Sequence, residues 1–138
     1  MSLETALLID DNPTFLSIVR QFMESRAQFE GIVTAPSGSE GLSRARELQP
    51  DLVLLDLGMP GLTGLEILPV LRTILPHAII IVLTLLDTEA YRSAAERLGA
   101  DAYVSKEKLY AELMPTIDRL QPIGGLASTD AEPRMGTQ

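Results

Sequence analysis

The sequence has no cysteine and a single histidine, His77, among its 138 residues. Without cysteine the chain can form no disulfide bond, thiolate metal site or cysteine nucleophile. One histidine likewise excludes zinc sites built on several histidines. Basic residues are also few, because 11 Lys and Arg stand against 19 Asp and Glu and leave a formal net charge of −8. A chain of this charge is a poor candidate for binding nucleic acid by itself.

Long apolar runs are absent as well. The longest mainly apolar stretch, residues 78–86, is about half the length needed to cross a bilayer, and the first residues lack the basic start of a secretory signal. We therefore expect no membrane association and a cytoplasmic location. With 46% hydrophobic and 22% charged residues, the composition is ordinary for a globular domain and excludes a disordered chain, a coiled coil or a collagen-like repeat.

Short apolar runs alternate five times with amphipathic stretches. The runs that predict strands begin at Ala6, Gly31, Leu52, Ala78 and Ala102, and each is followed by apolar residues at helical spacing. Five such units predict an α/β, doubly wound fold, with a five-stranded parallel sheet and helices on both faces. In the second helix this spacing directs Leu42, Ala45 and Leu48 inward.

Capping residues mark the predicted helix boundaries. A side chain that accepts a hydrogen bond from the first turn favours a helix start, and glycine favours a helix end. The caps predicted in this way are Asn12 with Pro13 at the first helical position, Ser37 with Glu40 at capping-box spacing, Asp87 or Thr88, and Gly99.

The composition changes near Gln121. Beyond it the chain is rich in Gly, Ala, Ser and Pro and has no apolar stripe. We therefore expect one domain over residues 4–120, and a flexible tail or the start of an interdomain linker over residues 121–138.

Polar residues lie where the predicted strands end. Asp10 and Asp11 end the first strand, Asp56 the third and Thr84 the fourth, and Lys106 follows the fifth. Ligands of open α/β sheets bind beyond the carboxyl ends of the strands, so we expect these five residues to converge. Crowded carboxylates repel unless one is protonated or a cation lies between them. Because all the ligands are oxygens, Mg²⁺ is the expected cation.

Each of these residues also has an ordinary structural interpretation. The acidic pair could lie in a solvated loop or cap a helix, Asp56 could be a turn residue, Thr84 a strand residue and Lys106 a surface lysine. Five matching positions together make coincidence a poor explanation. His77, in a loop before the fourth strand, is interpreted as a surface residue.

Four motifs together resemble the receiver domain of bacterial two-component response regulators over about residues 4–120. They are Ile9-Asp10-Asp11-Asn12, Leu55-Asp56-Leu57-Gly58-Met59-Pro60-Gly61, Thr84 and Tyr103-Val104-Ser105-Lys106. The resemblance implies a flavodoxin-like sheet with strand order 2-1-3-4-5. It also implies a switch that accepts a phosphoryl group from a sensor histidine kinase or phosphotransfer protein. Such a switch is not an enzyme with a separate substrate, since its only chemistry is self-phosphorylation and self-dephosphorylation.

Site roles follow from the same resemblance. Asp56 matches the phosphoacceptor, and Asp10, Asp11 and Asp56 match the Mg²⁺ ligands, together with the backbone carbonyl of Gly58. The remaining matches are Thr84 and Lys106, which bind phosphoryl oxygens, and Tyr103, the aromatic switch residue. The family allows a homodimer through the face of the fourth helix, fifth strand and fifth helix, or through the first and fifth helices.

Several alternatives remain open. A binding-only module would have no need of crowded acids, and aspartyl-phosphate hydrolases typically carry a second acid two residues after the nucleophile, where this chain has Gly58. A dinucleotide enzyme is disfavoured because no Gly-x-Gly-x-x-Gly follows the first strand. The chain is either a stand-alone receiver or part of a regulator with a helix-turn-helix DNA-binding domain outside these residues. It departs from the common family pattern at Leu85 and Glu107, which follow Thr84 and Lys106.

Overall fold

A computed structural model describes residues 5–26 and 29–121. Over these ranges the chain alternates five strands with five helices, as the apolar pattern predicts. The strands are β1 (Thr5–Ile9), β2 (Gly31–Ala35), β3 (Leu52–Leu55), β4 (Ile79–Thr84) and β5 (Ala102–Ser105). The helices are α1 (Pro13–Glu24), α2 (Gly38–Leu48), α3 (Gly64–Ile74), α4 (Glu89–Leu98) and α5 (Leu109–Leu120), and a 3₁₀ turn, Lys106–Lys108, precedes α5. Apart from Gln121, the predicted tail lies outside the described residues.

The five strands form one parallel sheet in the order β2-β1-β3-β4-β5, which confirms the predicted fold. In the register of this sheet Ile9 lies beside Ala35 and Leu55, and Leu55 lies beside Val82. Each of these residues is at or near the carboxyl end of its strand. The residues that follow the strands therefore share one edge of the sheet.

Side chains alternate between two core layers because successive strand residues point to opposite faces of the sheet. On one face Leu7, Val53 and Val82 pack against α2, α3 and α4. On the other, Leu8 and Leu54 pack against α1 and α5. All four residues of β3 are buried, which explains its continuous apolar sequence. Within the described ranges, no helix has the length and apolar character that a membrane span requires.

The predicted caps are confirmed. Asn12, Ser37 and Thr88 accept hydrogen bonds from the first turns of α1, α2 and α4, and Gly99 ends α4 with a φ of 119°. Of the two candidates for the start of α4, Thr88 is the cap. Asp87 instead forms an ion pair with Arg92, with its Oδ1 2.8 Å from the guanidinium.

The prediction that Leu48 faces inward is wrong, because its side chain is 37% exposed. Each step of three residues falls roughly 60° short of a full helical turn, so two such steps in succession drift by about 120° around the helix. The series Leu42, Ala45, Leu48 therefore leaves the face that α2 buries through Gly38, Gly41 and Ala45. The helix ends immediately afterwards, at Gln49, whose φ is 47°.

Arg72, on α3, joins the ends of two helices to the sheet. Its guanidinium donates to the carbonyls of Leu75, Pro76, Ala78 and Gly99 at 2.8–3.4 Å. It also lies 2.7 Å from Asp101 Oδ2, and that oxygen accepts a hydrogen bond from Ile80 N. One side chain thus satisfies carbonyls that the ends of α3 and α4 leave without helical partners.

Candidate functional site

Three carboxylates meet at the carboxyl edge of the sheet. Asp10 and Asp11 follow β1 and Asp56 follows β3, and one oxygen from each lies within 4.8 Å of the other two. The backbone holds them there, since Asp56 N donates to Ile9 O at 3.0 Å and Asp10 N donates to Ala35 O at 3.1 Å. Asp10 and Asp56 are buried, whereas Asp11 is exposed. The predicted convergence of these acids is therefore present.

Lys106 lies against the two buried acids. Its Nζ is 2.6 Å from Asp10 Oδ2 and 3.7 Å from Asp56 Oδ2. The side chains of Lys106, Asp10 and Asp56 are at most 10% exposed. Burial raises the pKa of Asp10 even though Lys106 and the backbone N–H of Asn12 stabilise its carboxylate. The site contains three carboxylates and one ammonium, so it has an excess of negative charge when all three acids are ionised.

This donor set fits a hard divalent cation. All the candidate ligands are oxygens, which suits Mg²⁺, and the exposed carboxylate of Asp11 faces solvent beside two buried ones. Gly58 lies next to the acids, since a Cβ at this position would be 3.9–4.0 Å from the Asp56 carboxylate oxygens. Its backbone is therefore close enough to Asp56 to belong to the same site.

Thr84 is the last residue of β4 and is fully buried. Its Oγ1 accepts a hydrogen bond from Leu86 N at 3.3 Å, which ties the hydroxyl to the loop before α4. Leu85, between them, is 65% exposed. The register places Thr84 beside Ser105, so Thr84 at the end of β4 and Lys106 directly after β5 lie at the same edge of the sheet.

Tyr103 lies further back on β5, beside Val82 rather than beside Thr84. Its hydroxyl is buried and has no hydrogen-bond partner among the described residues. The Arg92 guanidinium carbon is 4.7 Å from the centre of its ring, and Arg92 is held in turn by Asp87. Burial and the negative charge of Asp87 raise the pKa of Tyr103 to about 12, so the phenol stays neutral at ordinary pH.

A comparison with known protein families agrees with this geometry, that is, with the strand order, the acids at the strand ends and the lysine after β5. A family model described as the response regulator receiver domain matches residues 6–118. The chain is a response regulator receiver domain. Members of this family are signalling switches of two-component systems.

Curated relatives and solved structures agree with this assignment. The nitrate/nitrite response regulator protein homolog of Haemophilus influenzae is 37% identical over 114 residues, which are 83% of this chain and 55% of the relative. The nitrate/nitrite response regulator NarL of Escherichia coli K12 is 35% identical over 113 residues, 82% of this chain and 52% of the relative. A LuxR-family response regulator structure from Aurantimonas sp. SI85-9A1 is 29% identical with a TM-score of 0.80, and the alignment covers 95% of this chain and 89% of that one. The receiver domain thus spans about half the length of the curated relatives.

Two residues of the site were not identified from the sequence. The apolar spacing of the first helix predicts only that Phe15 lies on the same face as Val19, Phe22 and Met23, yet its ring centre lies 4.3 Å from Lys106 Nζ. Gly64, the first residue of α3, lies so close to the β3–α3 loop that a Cβ there would be 2.2 Å from Asp56 O. For Gly64 the sequence does carry a signal: it directly follows Thr63, the N-cap of α3, and a residue without a Cβ permits close approach of the backbone.

Proposed function

We propose that Asp56 of this receiver domain accepts a phosphoryl group from a sensor histidine kinase or phosphotransfer protein, with the help of Mg²⁺. The observation that carries the proposal is the arrangement of three carboxylates within 4.8 Å of one another, with Lys106 Nζ against the two buried ones. A binding-only module would gain nothing from this charge crowding, which costs free energy in the folded state.

In the proposed reaction a carboxylate oxygen of Asp56 forms a bond to phosphorus, while the bond from phosphorus to the donor histidine nitrogen breaks. The electron pair of that bond stays with the leaving nitrogen. Lys106, 3.7 Å from Asp56 Oδ2, is placed to neutralise negative charge on the transferred oxygens. Positioning and charge do most of the work in such transfers. Attack of water on phosphorus would later break the bond to the Asp56 oxygen, release inorganic phosphate and restore the carboxylate, with no separate substrate turned over.

Asp10, Asp11 and Asp56, with the carbonyl of Gly58, would hold the Mg²⁺. The bound cation supplies positive charge to the oxygens of the phosphoryl group. Asp10 already shares its Oδ2 with Lys106 at 2.6 Å, so the exposed Asp11 is the acid with most freedom to bind the metal. We therefore expect Asp11→Ala to weaken Mg²⁺ binding, measured by NMR titration of the free protein, and to remove Mg²⁺-dependent phosphorylation.

The signal would leave the site through Thr84. A phosphoryl group on Asp56 would attract the Thr84 hydroxyl through a charge-assisted hydrogen bond. Thr84 Oγ1 now accepts from Leu86 N, so this movement would alter the loop before α4 and the space beside Tyr103. The surface made by α4, β5 and α5 would change for a partner, for a second copy of the chain or for an attached domain. The proposal includes two further points. The domain acts in the cytoplasm, and a DNA-binding domain outside these residues gives the output, as in longer regulators.

The test is intact-mass spectrometry after incubation with acetyl phosphate, with and without Mg²⁺. We expect the wild type to gain the mass of one phosphoryl group only when Mg²⁺ is present, and Asp56→Asn to gain none. Asp51→Asn is the matched control, since Asp51 is an exposed acid just before β3, at the opposite end of that strand, and should leave labelling intact. Undiminished labelling of Asp56→Asn would show that the phosphoacceptor is another residue.

A further inference from the structure

Four residues around the acidic site form a closed ring of contacts. Lys106 Nζ lies 2.6 Å from Asp10 Oδ2, and Asp10 Oδ1 accepts from Asn12 N at 2.9 Å. Asn12 Oδ1 in turn accepts from Phe15 N at 3.1 Å. The Phe15 ring in turn contacts Lys106, the first residue of the series, with its centre 4.3 Å from Lys106 Nζ. The cap of α1 thus fixes both the acid that binds the ammonium and the ring that lies against it.

The surroundings make this ring–ammonium contact stronger than a surface one. The Lys106 side chain is 10% exposed. Its partners Asp10, Asp56 and Phe15 line one recess, whose other lining residues are all apolar. A cation over an aromatic face gains more as water is removed from it. A lysine side chain is flexible, so without the ring the ammonium could move from Asp56 towards solvent.

We propose that Phe15 is a positioning residue, which holds the Lys106 ammonium against Asp10 and Asp56 through the face of its ring. This inference rests on the proposed function, because the effect of the position of Lys106 on the reaction matters only if Asp56 is phosphorylated. A purely structural Phe15 would fill space in the layer between α1 and the sheet, and any apolar residue of similar volume would serve. A positioning Phe15 needs an aromatic face.

The chain offers a matched control on the same helix. Phe22 is also a half-buried phenylalanine of α1, and its ring lies 4.7 Å from the Arg26 guanidinium carbon. It also makes an edge-to-face contact with Tyr110, with ring centres 5.0 Å apart. Phe22→Leu therefore removes the same kind of ring and the same kind of cation contact, but away from the acids.

The first experiment detects the contact without any phosphorylation. The sequence has two lysines, Lys106 and the exposed Lys108, so lysine labelled with ¹³C at the ε position gives two assignable signals. We expect the Lys106 ε-protons to be shifted upfield of those of Lys108 by the ring current of Phe15. The shift should vanish in Phe15→Leu and persist in Phe22→Leu. Equal shifts for the two lysines in the wild type would overturn the proposal.

The second experiment measures the rate of labelling by acetyl phosphate at fixed Mg²⁺. We expect Phe15→Leu to be labelled roughly three- to tenfold more slowly, and Phe15→Tyr, which keeps an aromatic face, to remain within about twofold of the wild type. Phe22→Leu should lose stability in thermal unfolding but keep the wild-type labelling rate. An unchanged rate in Phe15→Leu, or no rescue by a folded Phe15→Tyr, would refute the role of the ring. If the wild type is not labelled at all, the proposed function fails instead, and the lysine signals still decide whether the contact exists.

Discussion

Replacing Gly64 by alanine tests whether the junction of β3 and α3 is as tightly packed as the structure indicates. A Cβ at this position would lie 2.2 Å from Asp56 O, 2.7 Å from Leu57 Cα and 2.9 Å from Asp56 C. All three atoms belong to the backbone, so no side chain can rotate away. The shortest of these distances is about 1.2 Å below the 3.4 Å at which ordinary contact begins.

Two effects of opposite sign decide the outcome. Alanine in place of glycine in a helix gains roughly 0.5–1 kcal/mol, and an overpacked site costs about 1–3 kcal/mol. Because the clash is with backbone that the sheet holds, we expect the cost to exceed the gain. The free energy of unfolding should fall by about 1–2 kcal/mol, which lowers the thermal midpoint of a domain of this size by roughly 4–8 °C.

The same substitution should slow phosphorylation, because relief of the clash moves the backbone that follows Asp56. Thermal unfolding followed by circular dichroism measures the first effect, and labelling by acetyl phosphate well below the midpoint measures the second. Gly31→Ala is the control, since a Cβ there meets only Thr5 Oγ1 at 4.0 Å. A Gly64→Ala protein that melts at or above the wild-type temperature would refute this reading of the junction.

Three further predictions concern other parts of the fold. Arg72→Met should lower the free energy of unfolding by about 2–3 kcal/mol, because a charged donor to several carbonyls is lost. Chemical denaturation measures this loss, and a value below about 0.5 kcal/mol would show that the hydrogen bonds of Arg72 contribute little to stability. Because the pKa of Tyr103 is raised to about 12 in the folded protein from an ordinary 10.0, ionisation favours unfolding, so stability should decline as pH rises through this interval. Tyr103→Phe should remove that decline in alkaline unfolding curves, and an identical decline in the variant would assign it to another group. Thr84→Ala should still be phosphorylated. The NMR shifts that beryllofluoride, a mimic of the phosphoryl group, causes around Tyr103 should be smaller in this variant, and shifts as large as in the wild type would refute the proposed link from Thr84 to Tyr103.

Much of the fold could be predicted because its determinants are local. Asn12 and Thr88 cap helices through side chains that reach three residues along the chain, and the continuous apolar sequence of β3 specifies a sheet covered on both faces. The acids could be placed because the residue after a parallel strand must lie at one edge of the sheet. The strand order itself was implied by the resemblance, and the sheet confirms it.

Contacts between distant segments could not be predicted. Arg72 bonds to Gly99, 27 residues away, and nothing in helical periodicity distinguishes it from a solvated arginine. Apolar spacing puts Phe15 on the inner side of α1, where it packs against the core. Periodicity, however, gives only the direction of a side chain around the helix axis. Since Phe15 is in the first turn, that direction brings its ring to the edge of the sheet, where it meets Lys106 instead of only the core.

The strengths of the contacts around the site also indicate which side would respond to a phosphoryl group on Asp56. On the α3 side Gly64 lies against backbone, and on the α1 side buried Asp10 binds Lys106. On the α4 side the restraint on Tyr103 runs through Arg92 and Asp87, whose side chains are 40% and 37% exposed. An ion pair with this exposure contributes about 0–1 kcal/mol, whereas breaking a buried pair costs about 3–5 kcal/mol. We therefore expect a phosphoryl group that reorganises the site to displace α4 and its loop more readily than α1 or α3. On this argument the surface that contains Tyr103 is the one expected to change.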